Sequence, residues 1–118
     1  MGFRESLQEV CTVEGAVAAS VMGFDGIAID TVTPASTPVD LDALLVEYAG
    51  ILGQVKQAAE MLQSGQVSEL SIGTDRLTTL LRPINPEYFL VLALKPDGNF
   101  GKGRYLLRVT APKLQAEF

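Results

Sequence analysis

The sequence predicts an α+β fold, an α/β sandwich in which helices cover a five-stranded antiparallel sheet, with the order α-β-β-α-β-β-β-α. Three observations support this prediction. Two apolar runs joined by a tight turn precede a long helical pattern, three strand-like runs follow it without an intervening helix, and a further helical segment comes last. A strand pair followed later by a meander indicates antiparallel pairing. At 118 residues, the chain is predicted to form one domain over 1–118.

The first half of the predicted sheet is a hairpin that follows a short helix. Residues 3–10 place Phe3, Leu7 and Val10 on one helical stripe, which predicts an amphipathic first helix. Residues 15–22 are small and apolar, as in a strand buried on both faces, and Asp25-Gly26 predicts a tight turn into a return strand over 26–32. The prolines in 33–38 predict a loop.

A long amphipathic helix is predicted over 41–63, with Asp40 or Thr37 as its N-cap and Ser64-Gly65 as its stop. Apolar residues recur along it at spacings of three and four, and we expect this stripe to lie on the sheet. The stripe consists of Leu41, Leu45, Tyr48, Leu52, Val55, Ala59 and Leu62.

The opposite side of this helix is small, apolar or uncharged, where a solvated helix normally carries Lys and Glu. We call it the outer strip, and it consists of Ala43, Val46, Glu47, Gly50, Gln54, Gln57 and Met61, with Glu47 at its rim. Gly50 and Gly53 each destabilise a helix interior by about 1 kcal/mol relative to alanine. The pattern predicts a protein interface, because interface cores are depleted in charge. The alternative is a weakly polar helix with tolerated or kinking glycines.

The last third of the chain predicts three strands and a final helix. Strands over 67–72 and 76–82 show partial alternation around a turn at 73–75, and 88–94 is continuously apolar, as in a central strand covered on both faces. Residues 99–104 open the final helix. Pro112 is expected to kink that helix or end it near Ala111, because proline removes a helical hydrogen bond.

Composition limits the chemistry that the chain can perform. There is no histidine, which removes Ser-His-Asp and Cys-His catalysis, and Cys11 has no second thiol for a disulfide or a Cys-x-x-Cys site. The net charge of −5 argues against nucleic acid as a partner. No apolar run is long enough to cross a bilayer. We therefore expect a cytoplasmic protein without membrane insertion, metal or cofactor.

Motif analysis also argues against an enzyme. Gly101-x-Gly103 lacks a third glycine and the strand-to-helix context of a nucleotide-binding motif, and no phosphate-binding loop motif occurs. Asp40 and Asp42 could form a paired-carboxylate site, but acids at a helix start are favoured there as cap and dipole partners. A basic end on this acidic chain, formed by Lys102, Arg104, Arg108 and Lys113, could dock an acidic partner or could be an ordinary solvated helix face.

Several of these features together resemble the Roadblock/LC7 family. They are the Asp25-Gly26 hairpin, the long helix, and the run from 88–94 through 97–101 into 104–108. The resemblance spans nearly the whole chain and implies one Roadblock/LC7-like domain with a profilin-like or longin-like sheet. It also implies homodimers in which the long helix and a neighbouring strand of each subunit meet, and which bind Ras-like small GTPases. A short chain of this kind is most similar to the bacterial MglB-like members, which act as GTPase-activating partners of MglA-type GTPases.

From this resemblance we expect a dimer that modulates a GTPase without donating a catalytic side chain. Arg76, Arg82 and Arg104 are available as arginine donors, but the MglB-like precedent is remodelling of the switch regions of the GTPase. Two alternatives remain open at this point. One is a dimeric scaffold or adaptor with no effect on nucleotide turnover, and the other is a small-molecule sensor, which requires a cavity with convergent polar groups.

Overall fold

A five-stranded antiparallel sheet in the order β2-β1-β5-β4-β3 organises residues 2–118, the part of the chain that the computed structural model describes. Met1 of the predicted domain lies outside the described residues. The elements are α1 (Phe3–Val10), β1 (Ala16–Gly23), β2 (Ala28–Val32), α2 (Leu41–Met61), β3 (Leu70–Gly73), β4 (Thr78–Pro83), β5 (Tyr88–Leu94) and α3 (Phe100–Gln115). The predicted fold class and element order are confirmed.

Strand β5 is the centre of the sheet and supplies residues to the hydrophobic clusters on both of its faces. Leu90 and Leu92 pack in the cluster that contains residues of α1 and α3, whereas Phe89 and Val91 pack in the cluster that contains residues of α2. Successive side chains of a strand point to opposite faces, so an apolar residue is required at every position of a strand covered on both sides. This explains why its sequence shows no alternation.

Helices α1 and α3 close one face of the sheet. Leu7 of α1 and Leu114 of α3 are fully buried in this core. At Gly103 the backbone of α3 comes so close to the sheet that an added Cβ would lie 3.0 Å from Leu80 and 3.1 Å from Leu92. The prediction that Pro112 can end α3 near Ala111 was wrong, because the helix continues to Gln115.

Helix α2 lies on the other face and buries Leu45, Ala49 and Leu52. The predicted stripe is confirmed at Leu45 and Leu52, and Tyr48 packs against the same core from a half-buried position. Leu62 was wrongly assigned to the core, because it lies beyond the last helical turn and is 77% exposed.

The two ends of α2 use different capping arrangements. Asp40 is the N-cap, and its Oδ1 accepts the backbone N–H of Ala43 at 3.2 Å. The helix ends at Met61, two residues earlier than predicted. There Gln63, and not a glycine, takes the left-handed conformation, with φ of 55°. The N–H of Ser64 donates to the carbonyl of Ala59 at 3.0 Å, which is the hydrogen bond of a Schellman ending.

Three strands start later than the sequence predicted, and local turn geometry explains the later start of β2 and β4. Gly26, with φ of +87°, belongs to the turn, so β2 starts at Ala28 instead of residue 26. The hydroxyl of Thr74 accepts the N–H of Leu77 at 3.1 Å, which holds residues 74–77 in the connection before β4. Similarly, β3 starts at Leu70 instead of residue 67.

Candidate interface on helix α2 and basic pocket beside helix α3

The outer strip of α2 lies on the surface of the chain. Every member of the strip is exposed, and the exposed fraction reaches 51% at Val46 and 85% at Met61. A methionine and a valine exposed to this extent present apolar area that the fold itself leaves uncovered. That a second copy of the chain covers the strip stays a prediction.

The glycines of α2 are not required by packing within the chain. A Cβ added at Gly50 or Gly53 would meet no atom within 4 Å apart from the helix backbone and immediate neighbours. This contrasts with Gly103 of α3, where the sheet approaches closely. The destabilising effect of two helical glycines is therefore not offset by a close contact within residues 2–118.

A ledge of two apolar side chains, Ile27 just before edge strand β2 and Ile29 within it, continues the outer strip. Ile27 is 67% exposed and Ile29 is 42% exposed. Asp30 points to the opposite face, where its carboxylate binds Arg4 of α1 at 2.6 Å, so Ile29 faces the α2 side. A Cβ at Gly26 would lie 3.8 Å from Cγ1 of Val46, which places the hairpin turn beside the strip.

Two further apolar residues, Ile51 of α2 and Leu62 at its C-cap, are exposed outside the predicted strip. Ile51 is 40% exposed and Leu62 is 77% exposed. Ile51 lies three positions from Tyr48, on the same side of the helix. Tyr48 and Ile72 of β3 both pack against the core cluster under α2. The sequence did not predict the exposure of Ile27, Ile29 and Ile51, because the pattern of one element does not show how far its neighbours cover it.

An open groove of about 1100 Å³ lies at the C-terminal end of α2. Gln57 of the outer strip and Gly53 line it, together with the β4–β5 connection at Pro86. Its Lys56 ammonium is already engaged, since it donates to the carbonyl of Pro86 at 3.3 Å and lies 3.8 Å from the ring centroid of Phe24. The groove is open to solvent and does not enclose a ligand, which does not favour a small-molecule sensor site.

A smaller recess of about 430 Å³ lies on the α3 side of the sheet. We call it the basic pocket, and its side chains are Ser68, Glu69, Arg82, Arg104, Tyr105 and Arg108. Arg104 binds the Glu69 carboxylate through two nitrogens, with Nε 3.1 Å from Oε2 and Nη2 against Oε1. Of the basic residues that the sequence offered for docking an acidic partner, Arg104 and Arg108 line this pocket together with Arg82. Lys102 does not line it.

The charges of the basic pocket converge on Glu69. The hydrogen bond from Arg104 lowers the pKa of Glu69, and the charges of Arg104, Arg82 and Arg108 act in the same direction against a smaller effect of burial. The same pair raises the pKa of Arg104. The sequence predicts Arg82 only as an arginine donor. It lies two positions after Leu80 in β4, so the side chains of both residues lie on the face of the sheet that α3 covers.

Cys11 is a half-buried thiol outside both surfaces. Burial raises its pKa to about 11, and its Sγ lies 3.8 Å from the carbonyl oxygen of Val32. Residues 2–118 contain no cluster of three or more Cys, Asp or Glu side chains arranged to hold a metal ion. Across the same residues, none of the helices combines the length and the apolar character needed to span a bilayer.

Comparison with known proteins identifies similar sequences and folds. A family model described as the Roadblock/LC7 domain matches residues 3–94. MglC from Myxococcus xanthus is 55% identical, with 100% of both chains covered and a TM-score of 0.73. The gliding protein MglB from Thermus thermophilus is 21% identical, with 96% of this chain and 85% of that chain covered and a TM-score of 0.84. MglB in a tetrameric arrangement matches with the same identity and coverage and a TM-score of 0.85. No curated protein gave a significant match.

Sequence identity and backbone superposition order these relatives differently. The chain shares more residues with MglC, whereas its backbone superposes more closely on MglB. Identity of 55% over the full length carries homology, while the MglB similarity at 21% carries the fold alone.

Proposed function

Because the chain belongs to the Roadblock/LC7 family, we propose that it forms a homodimer that binds a Ras-like small GTPase of the MglA type and modulates its GTPase cycle. In this proposal residues 1–118 act as one domain in the cytoplasm, and the dimer gives the GTPase no catalytic side chain. The observation that carries the proposal is the outer strip of α2, which is exposed, almost uncharged and contains Gly50.

The dimer seam is assigned to the outer strip because of its charge and its shape. Charged residues are depleted at the cores of interfaces, and the strip carries one charge, on Glu47 at its rim. The open space over Gly50 and Gly53 allows a second helix to approach more closely than larger side chains would permit. The tetrameric arrangement of an MglB supports self-association in this fold.

The GTPase is assigned to the ledge formed by Ile27 and Ile29. A two-fold dimer repeats every surface patch, so a seam along α2 places one copy of the ledge on each side of the axis. Large exposed apolar residues beside an interface extend the area that a third protein can bury.

The absence of a donated arginine is proposed from the family precedent of switch remodelling. Arg104 is held by Glu69, and Arg4 is held by Asp30. An arginine that stabilises phosphoryl transfer must reach the transferred phosphate in another protein. Arg104 would first have to break its ion pair, whereas Arg76 and Arg82 form none among residues 2–118, so the contacts argue against Arg104 alone as a donor.

The test of this proposal combines oligomeric state with single-turnover GTP hydrolysis by the MglA-type GTPase of the same organism. Wild-type protein is expected to be dimeric by light scattering, to bind the GTP-bound GTPase and to change its hydrolysis rate. Gly50→Glu places a charge in the seam and should yield monomers that no longer change the rate. Gln8→Glu adds the same charge on exposed α1 and should behave as wild type. A dimeric wild-type protein that does not bind the GTPase would refute GTPase binding, and a dimeric Gly50→Glu variant of native stability would place the seam elsewhere.

The second candidate function is a dimeric adaptor that gathers partners without changing nucleotide turnover. It is favoured by the 55% identity with MglC against 21% with MglB, because surface residues decide what binds and most of them are not shared with MglB. For the adaptor, the same experiment should give clear binding and an unchanged single-turnover rate.

A further inference from the structure

The basic pocket has a charge opposite to that of the whole chain. The protein carries a net charge of −5, yet three guanidinium groups and one carboxylate give this recess a local charge of +2. The hydroxyl-bearing residues Ser68 and Tyr105 add potential hydrogen-bond donors to its wall. A concave site with this set of groups attracts anions against the field of the remaining surface.

Two of the three arginines are available to a ligand. Among residues 2–118, neither Arg82 nor Arg108 forms an ion pair. Arg108 is nevertheless positioned, since its guanidinium carbon lies 5.5 Å from the ring centroid of Tyr105. Arg104 holds Glu69 with two nitrogens, which shows that a carboxylate fits the fork geometry here.

We infer that the basic pocket binds an acidic segment of a partner protein, with a carboxylate of the partner held by Arg82 and Arg108 beside Glu69. Arginine forks recognise carboxylates and phosphates alike. In this recess the Glu69 carboxylate is already held by Arg104, and a carboxylate of the partner would be the matching ligand for the neighbouring Arg82 and Arg108. The local charge of +2 is balanced by two carboxylates.

The basic pocket lies beside the edge of the sheet and not on it. Ser68 and Glu69 precede β3, an edge strand that pairs with β4, and no residue of β3 itself lines the pocket. The segment would therefore be held by the side chains of β4 and α3 and not by addition to this sheet edge. The surface lies on the α3 side of the sheet, so this inference does not depend on the proposed α2 seam.

The inference is tested by fluorescence anisotropy with a labelled peptide of alternating Glu and Ser, and with an alternating Gln and Ser peptide as the uncharged control. Wild-type protein should bind the acidic peptide, and the affinity should fall as salt is raised. Arg82→Gln combined with Arg108→Gln should weaken binding at least tenfold while leaving the thermal unfolding curve close to wild type. Arg108→Lys keeps the charge but loses the fork, and should weaken binding several-fold.

The matched control is Arg76→Gln combined with Lys113→Gln, which removes the same charge from exposed positions outside the pocket. Its affinity should stay within about twofold of wild type, because distant exposed charges are screened. An equal loss in the control pair would overturn the inference in favour of general charge attraction. Absence of peptide binding by wild type, or displacement by inorganic phosphate more effectively than by unlabelled acidic peptide, would also overturn it.

Discussion

The two faces of the sheet use their helices very differently. Helix α3 buries five of its 16 residues against the sheet, whereas the longer α2 buries three of its 21. A helix that served only to cover a hydrophobic core would need to be no longer than the stretch of residues that it buries. The difference indicates that α3 is covered more completely by the chain itself, whereas α2 leaves more of its surface exposed.

The glycines show the same contrast. A Cβ at Gly15 would lie 2.6 Å from Cα of Gly98, and one at Gly103 would press on two leucines of the sheet. At Gly50 and Gly53 of α2 the space is empty. Glycine is required by packing near α1 and α3, but within the chain it has no such role on α2.

The largest expected effect distinguishes a core position from the outer strip. Leu114→Ala removes a fully buried side chain of α3 and should lower the free energy of unfolding by about 2–5 kcal/mol. Val46→Ala on α2, where the side chain is half exposed, should change it by less than about 0.5 kcal/mol in the monomer. Urea denaturation of both variants at low protein concentration provides the measurement. Equal losses would mean that α2 is packed as tightly as α3.

The thiol of Cys11 reports how well the α1 side is closed. Raising its pKa from 9.0 to about 11 lowers the thiolate fraction at pH 8 by about 100-fold, and alkylation by iodoacetamide should slow accordingly relative to the denatured chain. The folded-state pKa is the higher one, so this contribution to stability is present below pH 9 and is lost as pH rises towards 11. Cys11→Ser should not show that alkaline loss. Alkylation at the rate of the unfolded chain would contradict the closed face.

Gly15→Ala should destabilise the fold by about 2 kcal/mol or more, because φ of +87° strains an L-residue and the new Cβ would clash with the backbone of Gly98. The control is Gly65→Ala, whose φ of +101° brings the same kind of strain without a clash. The melting temperature should fall further for Gly15→Ala than for Gly65→Ala. A smaller fall would show that the chain shifts easily at this contact.

Gly50→Ala should raise the stability of the monomer, in contrast to Gly15→Ala, which should lower it. Nothing lies within 4 Å of the added Cβ, so the variant monomer should gain up to about 1 kcal/mol from helix propensity. If the seam passes over Gly50, the same change should weaken the dimer, which analytical ultracentrifugation over a dilution series would detect. A gain in monomer stability with unchanged dimerisation would remove Gly50 from the interface.

The smallest expected effect concerns Glu69, whose ion pair with Arg104 is solvated. The pKa of Glu69 is lowered in the folded state, so its contribution is present at neutral pH and is lost as pH falls through that lowered value. The stability of Glu69→Gln should therefore approach that of wild type under acidic conditions, and differ slightly at pH 7. Parallel unfolding curves at pH 3 and pH 7 measure this. A larger difference at pH 3 would contradict the assignment.

Sequence periodicity predicted the element order, β5 and the buried positions Leu45 and Leu52 of α2, because these depend on burial along one element. It failed where several elements combine. The left-handed Gln63 depends on the Schellman bonds at the end of α2, and the passage of α3 through Pro112 depends on the packing of Leu114 beyond it.

The candidate surfaces divide in the same way. The outer strip was predictable, because a helix face follows from spacing alone. The grouping of Arg82 with Arg104 and Arg108 was not, because β4 and α3 are brought together only by the assembled sheet.

The pairing of β1 with β5 also determines when the chain can fold. Ala19 lies opposite Leu92, and the intervening residues include the whole of α2 and three of the other strands. Contacts so far apart in sequence form slowly and late. During synthesis, the edge of β1 that pairs with β5 therefore stays unpaired until the residues up to Leu94 have emerged from the ribosome. An unpaired strand edge is prone to aggregation, so a chaperone would protect the nascent chain most during that interval.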